Sequence, residues 1–377
     1  MKSLEIIASI AFSALMMCSC AQNTEEQNAS SDIDGLLLKE YCPVSAFVTE
    51  EHHPSAAKFT TVDMHSHAYV DDVESLKEWV KILDENNIER IIINTMAHGE
   101  EFDRLYDMYK GVSDKFELWC AFNDEHWGTP EWEEEALADL QHCYEKGAVG
   151  VGELGDKGWG EIYSIIGLNL HGDEIIKTAH IDDPVYDKLL EKCGELHMPV
   201  SFHAADPIWM YLPLDEKNDG YVNAKNWAID TTQVGILGYE GIMKSFENAV
   251  ARHPNTLFIG CHFINMSHDY ARLGALLDKY PNLIIDNSAR HCETAVTPRA
   301  TKAFYEKYQD RILFGTDNYP DRDMYKLVWR VLETEDEHFY DDRSYHWALN
   351  GIGLDDDILH KIYRDNAMKL TEYEGRN

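Results

Sequence analysis

The sequence predicts an α/β chain of the (β/α)8, or TIM-barrel, class, with a cation site at the C-terminal ends of its strands. Three observations predict it. About 340 residues remain after an N-terminal leader and polar tether. Within them, eight short apolar segments alternate with amphipathic helical patterns. Residues able to ligate a metal recur at the ends of those segments, which is where such barrels carry their sites. A doubly wound open sheet shares the alternation but does not explain the recurrence.

The leader comes first. Lys2 precedes an apolar run from Ile6 to Met17, too short to span a bilayer and suited to the h-region of a signal peptide. Ser19-Cys20 then resembles a lipoprotein processing site. That resemblance implies cleavage before Cys20, a lipidated thiol and export to a bacterial membrane, at the outer membrane or cell surface. An ordinary secretory signal cut nearby is the competing reading. Residues 1–19 are thus expected to be removed, 20–35 to form a polar tether, and 36–377 to hold the barrel.

The formal net charge is −35, which disfavours nucleic acid and leaves a small-molecule substrate as the expected partner. Lipid at the N-terminus would be the only membrane contact. Oligomeric state is not legible. Six cysteines beyond Cys18 and Cys20 include no C-x-x-C pair, so a thiolate zinc site is not expected. Buried free thiols are expected instead.

Strands are expected at 59–65, 89–95, 116–122, 148–154, 198–204, 256–262, 282–287 and 311–316. Helices are expected near 73–86, 100–110, 131–146, 184–196, 239–252, 266–279, 299–309, 322–333 and 355–371. Two connections, 155–183 and 205–239, far exceed an ordinary βα loop of about two to six residues. They carry Trp159, Tyr163, Trp209, Tyr211, Tyr221 and Trp227, and are expected to pack as lids over the barrel mouth. Asp183-Pro184 marks a helix start.

The first strand ends in His65-Ser66-His67. Residues two apart on a strand point the same way, so both imidazoles face one side and are able to hold one ion. Glu153, His203, His262 and Asp317 end the fourth, fifth, sixth and eighth strands. Each alone is more often structural: Glu153 pairing with Lys157, Asp317 capping the next helix. Six nitrogen or oxygen donors at five strand ends make a pattern that chance rarely produces.

That pattern resembles the amidohydrolase superfamily. Arg311-Ile-Leu-Phe-Gly-Thr-Asp317 and Ile362-Tyr-Arg-Asp-Asn-Ala367 look like its amidohydrolase-2 branch, and Gly152-Glu-Leu-Gly-Asp156 is similar to the strand-four segment of TatD-like hydrolases. The resemblance implies that His65, His67 and Asp317 hold a divalent metal, Zn²⁺ by the donor set. With two metals, Glu153 bridges and His203 and His262 hold the second. With one, His203 completes the site, and His262 is free to polarise substrate or shuttle a proton. Asp317 is the expected general base.

On the substrate side, Arg290 is a candidate carboxylate clamp, or a partner of Asp286 or Glu293. Lys157, Trp159 and Trp209 are further candidates, and His126 is a possible pocket residue. The expected activity is metal-dependent hydrolysis of a lactone, ester, amide or carbohydrate derivative. Metal-dependent decarboxylation is the alternative, and a non-catalytic binding lipoprotein ranks below both.

Overall fold

The computed structural model describes residues 35–126, 129–160, 179–233, 235–341 and 346–371. Cys20, the leader and Tyr163 lie outside them. Eight strands follow one another: β1 Thr61–His67, β2 Ile88–Asn94, β3 Phe116–Trp119, β4 Val151–Asp156, β5 Val200–Ala204, β6 Phe258–Gly260, β7 Leu283–Asp286 and β8 Ile312–Leu313. Every neighbour pair is parallel, in the orders β1-β2-β3 and β4 through β8.

Backbone hydrogen bonds join the two sheets at both edges. Cys120 N donates to Gly150 O at 3.1 Å and Gly152 N to Cys120 O at 2.8 Å, linking β3 to β4. Met64 N donates to Phe314 O at 2.9 Å and Asp317 N to His65 O at 2.8 Å, linking β1 to the chain just after β8. The ring of strands is closed, as a (β/α)8 barrel requires.

Two packed regions follow from this closure. Val62, Met64, Ile92, Trp119, Ile259 and Leu313 form a cluster of their own, packed with Ala367 near the C-terminus. Strands on opposite sides of a barrel meet only across its lumen, so this cluster fills the interior. The larger core lies between strands and surrounding helices, among them Val73–Glu85, Gly99–Val112, Trp132–Lys146, Asp187–Glu195, Tyr239–Arg252, Pro298–Tyr308 and Arg322–Glu333. Asp72, Asp183, Asp269 and Asp321 cap helical starts with their carboxylates.

The structure trims several sequence-based boundaries. β8 stops at Leu313 because Phe314 N donates to Ile362 O rather than to a strand. The helix expected from 266 starts at Tyr270. The last helix is interrupted by a π-turn at Lys361–Asp365. All six described cysteines are free. Among the described residues, no helix is long and apolar enough to cross a membrane.

The β1–β8 seam is pinned by Asp63. Its carboxylate accepts from Thr316 Oγ1 at 2.6 Å, Thr316 N at 3.0 Å, Tyr325 OH at 3.0 Å and His65 N at 3.2 Å. Burial pushes its pKa up to about 6 despite those donors. Asp63→Ala orphans several buried donors at about 1–3 kcal/mol each. Urea unfolding should therefore show a loss of about 3 kcal/mol, and a loss under about 1 kcal/mol would remove Asp63 from this role.

Candidate metal centre

β1 delivers both histidines to the lumen side through a register shift between Asp63 and Ser66, where the pairing with β2 skips. Gly315 allows the close approach of the chain after β8 to its neighbour β1, since a Cβ there would sit 2.8 Å from His65 Cβ. Gly152 does the same for β4, where a Cβ would meet Ser201 Cβ at 2.7 Å.

Four imidazoles surround Glu153, and each spends its outer nitrogen on an acceptor. His65 Nδ1 lies 2.9 Å from Asp286 Oδ2, and His67 Nδ1 3.2 Å from Asn94 O. His203 Nε2 lies 3.0 Å from Asp206 Oδ1, and His262 Nδ1 3.0 Å from Ser288 O. Carboxylate and carbonyl oxygens only accept, so the outer nitrogens carry hydrogen and the inner ones are left to take a proton or an ion.

Those inner nitrogens face carboxylates. Glu153 Oε1 is 3.1 Å from His262 Nε2, 3.2 Å from His203 Nδ1 and 3.5 Å from His65 Nε2. Glu153 Oε2 is 3.4 Å from His67 Nε2, which is 3.2 Å from Asp317 Oδ1. Two donor sets, His65–His67–Glu153 and Glu153–His203–His262, share this one carboxylate. Tyr69 OH donates to Asp317 Oδ1 at 3.1 Å from the open side.

Lone pairs aimed at carboxylates require positive charge between them. Burial opposes charge on His65, but Glu153, Asp286 and Asp317 outweigh it and push its pKa up to about 10. Burial likewise loses to Asp317 and Glu153 at His67, raised to about 9. Burial would raise Glu153, yet His65, His203 and His262 hold it well below the usual carboxylate range. Burial, reinforced by the charges of His203 and Arg290, pulls His262 down. His65 Nε2 has no hydrogen-bond partner although fully buried. A divalent cation fits this arrangement: imidazole nitrogens and carboxylate oxygens suit zinc and its neighbours.

Ion uptake at pH 7 should therefore release protons, because His65 and His67 are protonated below about 10 and about 9 when no cation lies between them. Calorimetry in buffers of different ionisation enthalpy should read a release of about one to two protons, with affinity rising with pH. Zero release would mean that the inner nitrogens are already bare.

Other sequence candidates fall elsewhere. Arg290 is held by Asn265, Ala289 and Glu293 rather than by Asp286. Its Nε donates to Asn265 Oδ1 at 3.0 Å and its Nη1 to Ala289 O at 2.8 Å, with Glu293 at 3.5 Å. Asp286 serves His65 instead. Lys157 pairs with Asp206 at 3.1 Å rather than with Glu153. Trp209 is buried with Met210 and Ala224 and lies edge-on to Trp347. Trp159 is half-buried. His126 is exposed and 2.9 Å from Glu135, away from the pocket. Asp317 does not cap the next helix, a task Asp321 performs. A cleft of about 580 Å³ between Leu38, Leu214, Lys217 and Tyr221 shares no residue with the histidine cluster.

Sequence reasoning missed Asp286, Asp206, Asn265 and Tyr69. Asp206 stood three positions beyond His203, and Asp286 at one of the three strand ends given no ligand.

Fold and site define a metal-dependent enzyme on a (β/α)8 barrel. The amidohydrolase family model of the amidohydrolase-2 branch matches residues 62–370, and the chain belongs to that family. Several solved structures are similar at low identity. One is an uncharacterised TIM-barrel protein from Bordetella bronchiseptica, 12% identical over 82% of this chain and 98% of that chain, with TM-score 0.49. A second is 5-carboxyvanillate decarboxylase from Novosphingobium aromaticivorans complexed with manganese and a nitrobenzoic acid, 11% identical over 84% and 96%, TM-score 0.45. A third is a TatD homologue from Escherichia coli, 15% identical over 82% and 97%, TM-score 0.45. No curated protein matches the sequence significantly.

Proposed function

We propose that this enzyme hydrolyses a neutral small molecule, a lactone, ester, amide or carbohydrate derivative, with zinc as its ion. The observation that carries the reading is Glu153, whose Oε1 lies beside His65, His203 and His262 and whose Oε2 lies beside His67, so that two three-residue donor sets share its carboxylate. Two cations would be held by His65, His67 and Glu153 on one side and by Glu153, His203 and His262 on the other. When bound, the cations supply hydroxide near neutral pH and polarise a carbonyl oxygen.

The protein's own residues do the rest. Asp317 is the ligand most open to the mouth, with 24% of its side chain exposed, so it is placed to take a proton from water. Tyr69 holds Asp317 Oδ1 and leaves Oδ2 for that proton. His262, with Nδ1 committed to Ser288, acts through the Nε2 lone pair as a ligand. In this reading Asp317 alone returns the proton to the leaving group.

An anionic substrate would call for a side-chain cation beside the centre to hold its carboxylate. Arg290 and Lys157, the two offered by the sequence at the mouth, are engaged by Asn265 and Asp206. This favours hydrolysis and an uncharged substrate. Export and lipidation at Cys20 remain part of the proposal, carried by Ile6 to Cys20 alone.

The test is a panel of lactones, esters, amides and aromatic carboxylic acids assayed with zinc-loaded and chelated enzyme. Hydrolysis that disappears with chelation and returns with zinc is expected. Carbon dioxide release from an acid, with no hydrolysis, would reverse the assignment.

A further inference from the structure

Three neighbouring strand ends carry non-glycine residues in the left-handed region. Ala205 follows β5 with φ 56°, and Ala289 follows β7 with φ 52°. Between them, after β6, come His262, Phe263, Ile264 and Asn265, with φ of 59°, 55°, 54° and 49°. Each such residue costs about 1–2 kcal/mol, so the turn persists only if its surroundings over-determine it.

One side-chain pair touches all three ends. Asn265 Nδ2 donates to Ala205 O at 2.7 Å and Ala204 O at 3.2 Å, the carbonyls next after His203. Asn265 Oδ1 accepts from Arg290 Nε at 3.0 Å and from Nη2. Arg290 Nη1 donates to Ala289 O at 2.8 Å. Asn265 O accepts from Tyr239 OH at 2.9 Å. Arg290 and Asn265 are both buried.

This unit acts on only part of the centre. His203 precedes Ala204, and His262 is the first residue of the left-handed turn. Their rings lie 4.6 Å apart, and both face Glu153 Oε1. His65 and His67 depend on β1, Asp286 and Asn94 instead.

We propose that Arg290 and Asn265 are positioning residues that build the Glu153–His203–His262 half of the centre. Arg290 is then no carboxylate clamp: it buttresses an amide that holds three strand ends in register. The proposal rests on the two-cation reading above.

The experiment is zinc stoichiometry and stepwise affinity, by elemental mass spectrometry and chelator competition, on wild type, Arg290→Met, Asn265→Ala and Arg290→Lys. Circular dichroism monitors folding. Wild type should hold two equivalents. Arg290→Met and Asn265→Ala should hold one, with the first affinity within about threefold of wild type, as loss of a ligand's support typically costs 10–100-fold at that site. Arg290→Lys keeps one donor to Oδ1 and should weaken only the second step, about tenfold; it decides the matter should the other variants not fold. Two equivalents at wild-type affinity in Arg290→Met, or an unchanged second step in Arg290→Lys, would overturn the proposal. One equivalent in wild type would overturn it by removing the second cation, and none would overturn the proposed function as well.

Discussion

On the two-cation reading, Glu153→Gln should remove at least one of two metal equivalents and lower turnover by more than about 100-fold. That factor is the upper end of what losing a ligand's supporting partner costs, and a ligand should matter more. The reason is charge as well as contact. Glu153 lies within 3.1–3.5 Å of four inner nitrogens. An amide of the same shape keeps one acceptor oxygen but turns N–H groups toward some of those nitrogens. It also removes the negative charge that draws a cation between them. Metal analysis of the purified variant reads the outcome. Content equal to wild type would take Glu153 out of the centre.

Asp286→Ala should be nearly as damaging without touching any ion. The carboxylate accepts from His262 N at 2.8 Å and Ser288 N at 3.1 Å, besides holding His65 Nδ1 at 2.9 Å. Its pKa is below the usual range because the charges of His65 and His262 and the hydrogen bonds from His65 and Ser288 outweigh burial. Truncation leaves these buried donors without acceptors, at about 1–3 kcal/mol each. Unfolding in urea with chelator present should show a loss of about 3 kcal/mol or more. Zinc affinity should fall 10–100-fold because His65 is no longer fixed in tautomer and orientation. Undiminished affinity would show that β1 alone orients His65.

All eight strands were legible, because apolar runs of this length between helical patterns leave few alternatives. The residues grouped around Glu153 were legible because donors repeated at strand ends. What escaped was anything that depends on partners distant in sequence. Asp286 was weighed as a neighbour of Arg290, four positions on, whereas its partner is His65 at the other end of the chain. The register shift before Ser66 leaves no mark in an alternating pattern. Asn265 carries no motif at all, and its importance emerges only from the backbone conformation around it. His126 illustrates the reverse error: a histidine near a strand end whose side chain faces solvent.

The seam between β1 and the residues after β8 has a consequence for how the protein matures. His65 and Asp317 come from opposite ends of the barrel sequence, and the pin at Asp63 engages Thr316 only when the last strand docks. A nascent chain that has not yet released its final strand has the histidines and Glu153 but neither Asp317 nor the closure at Thr316 that brings β1 to them. Ion capture should therefore wait for a finished chain, and once it occurs, the ion ties the first strand to the last. Free-ion concentration then sets how often the barrel opens at this seam, since a ligand that binds only the closed form stabilises it by mass action.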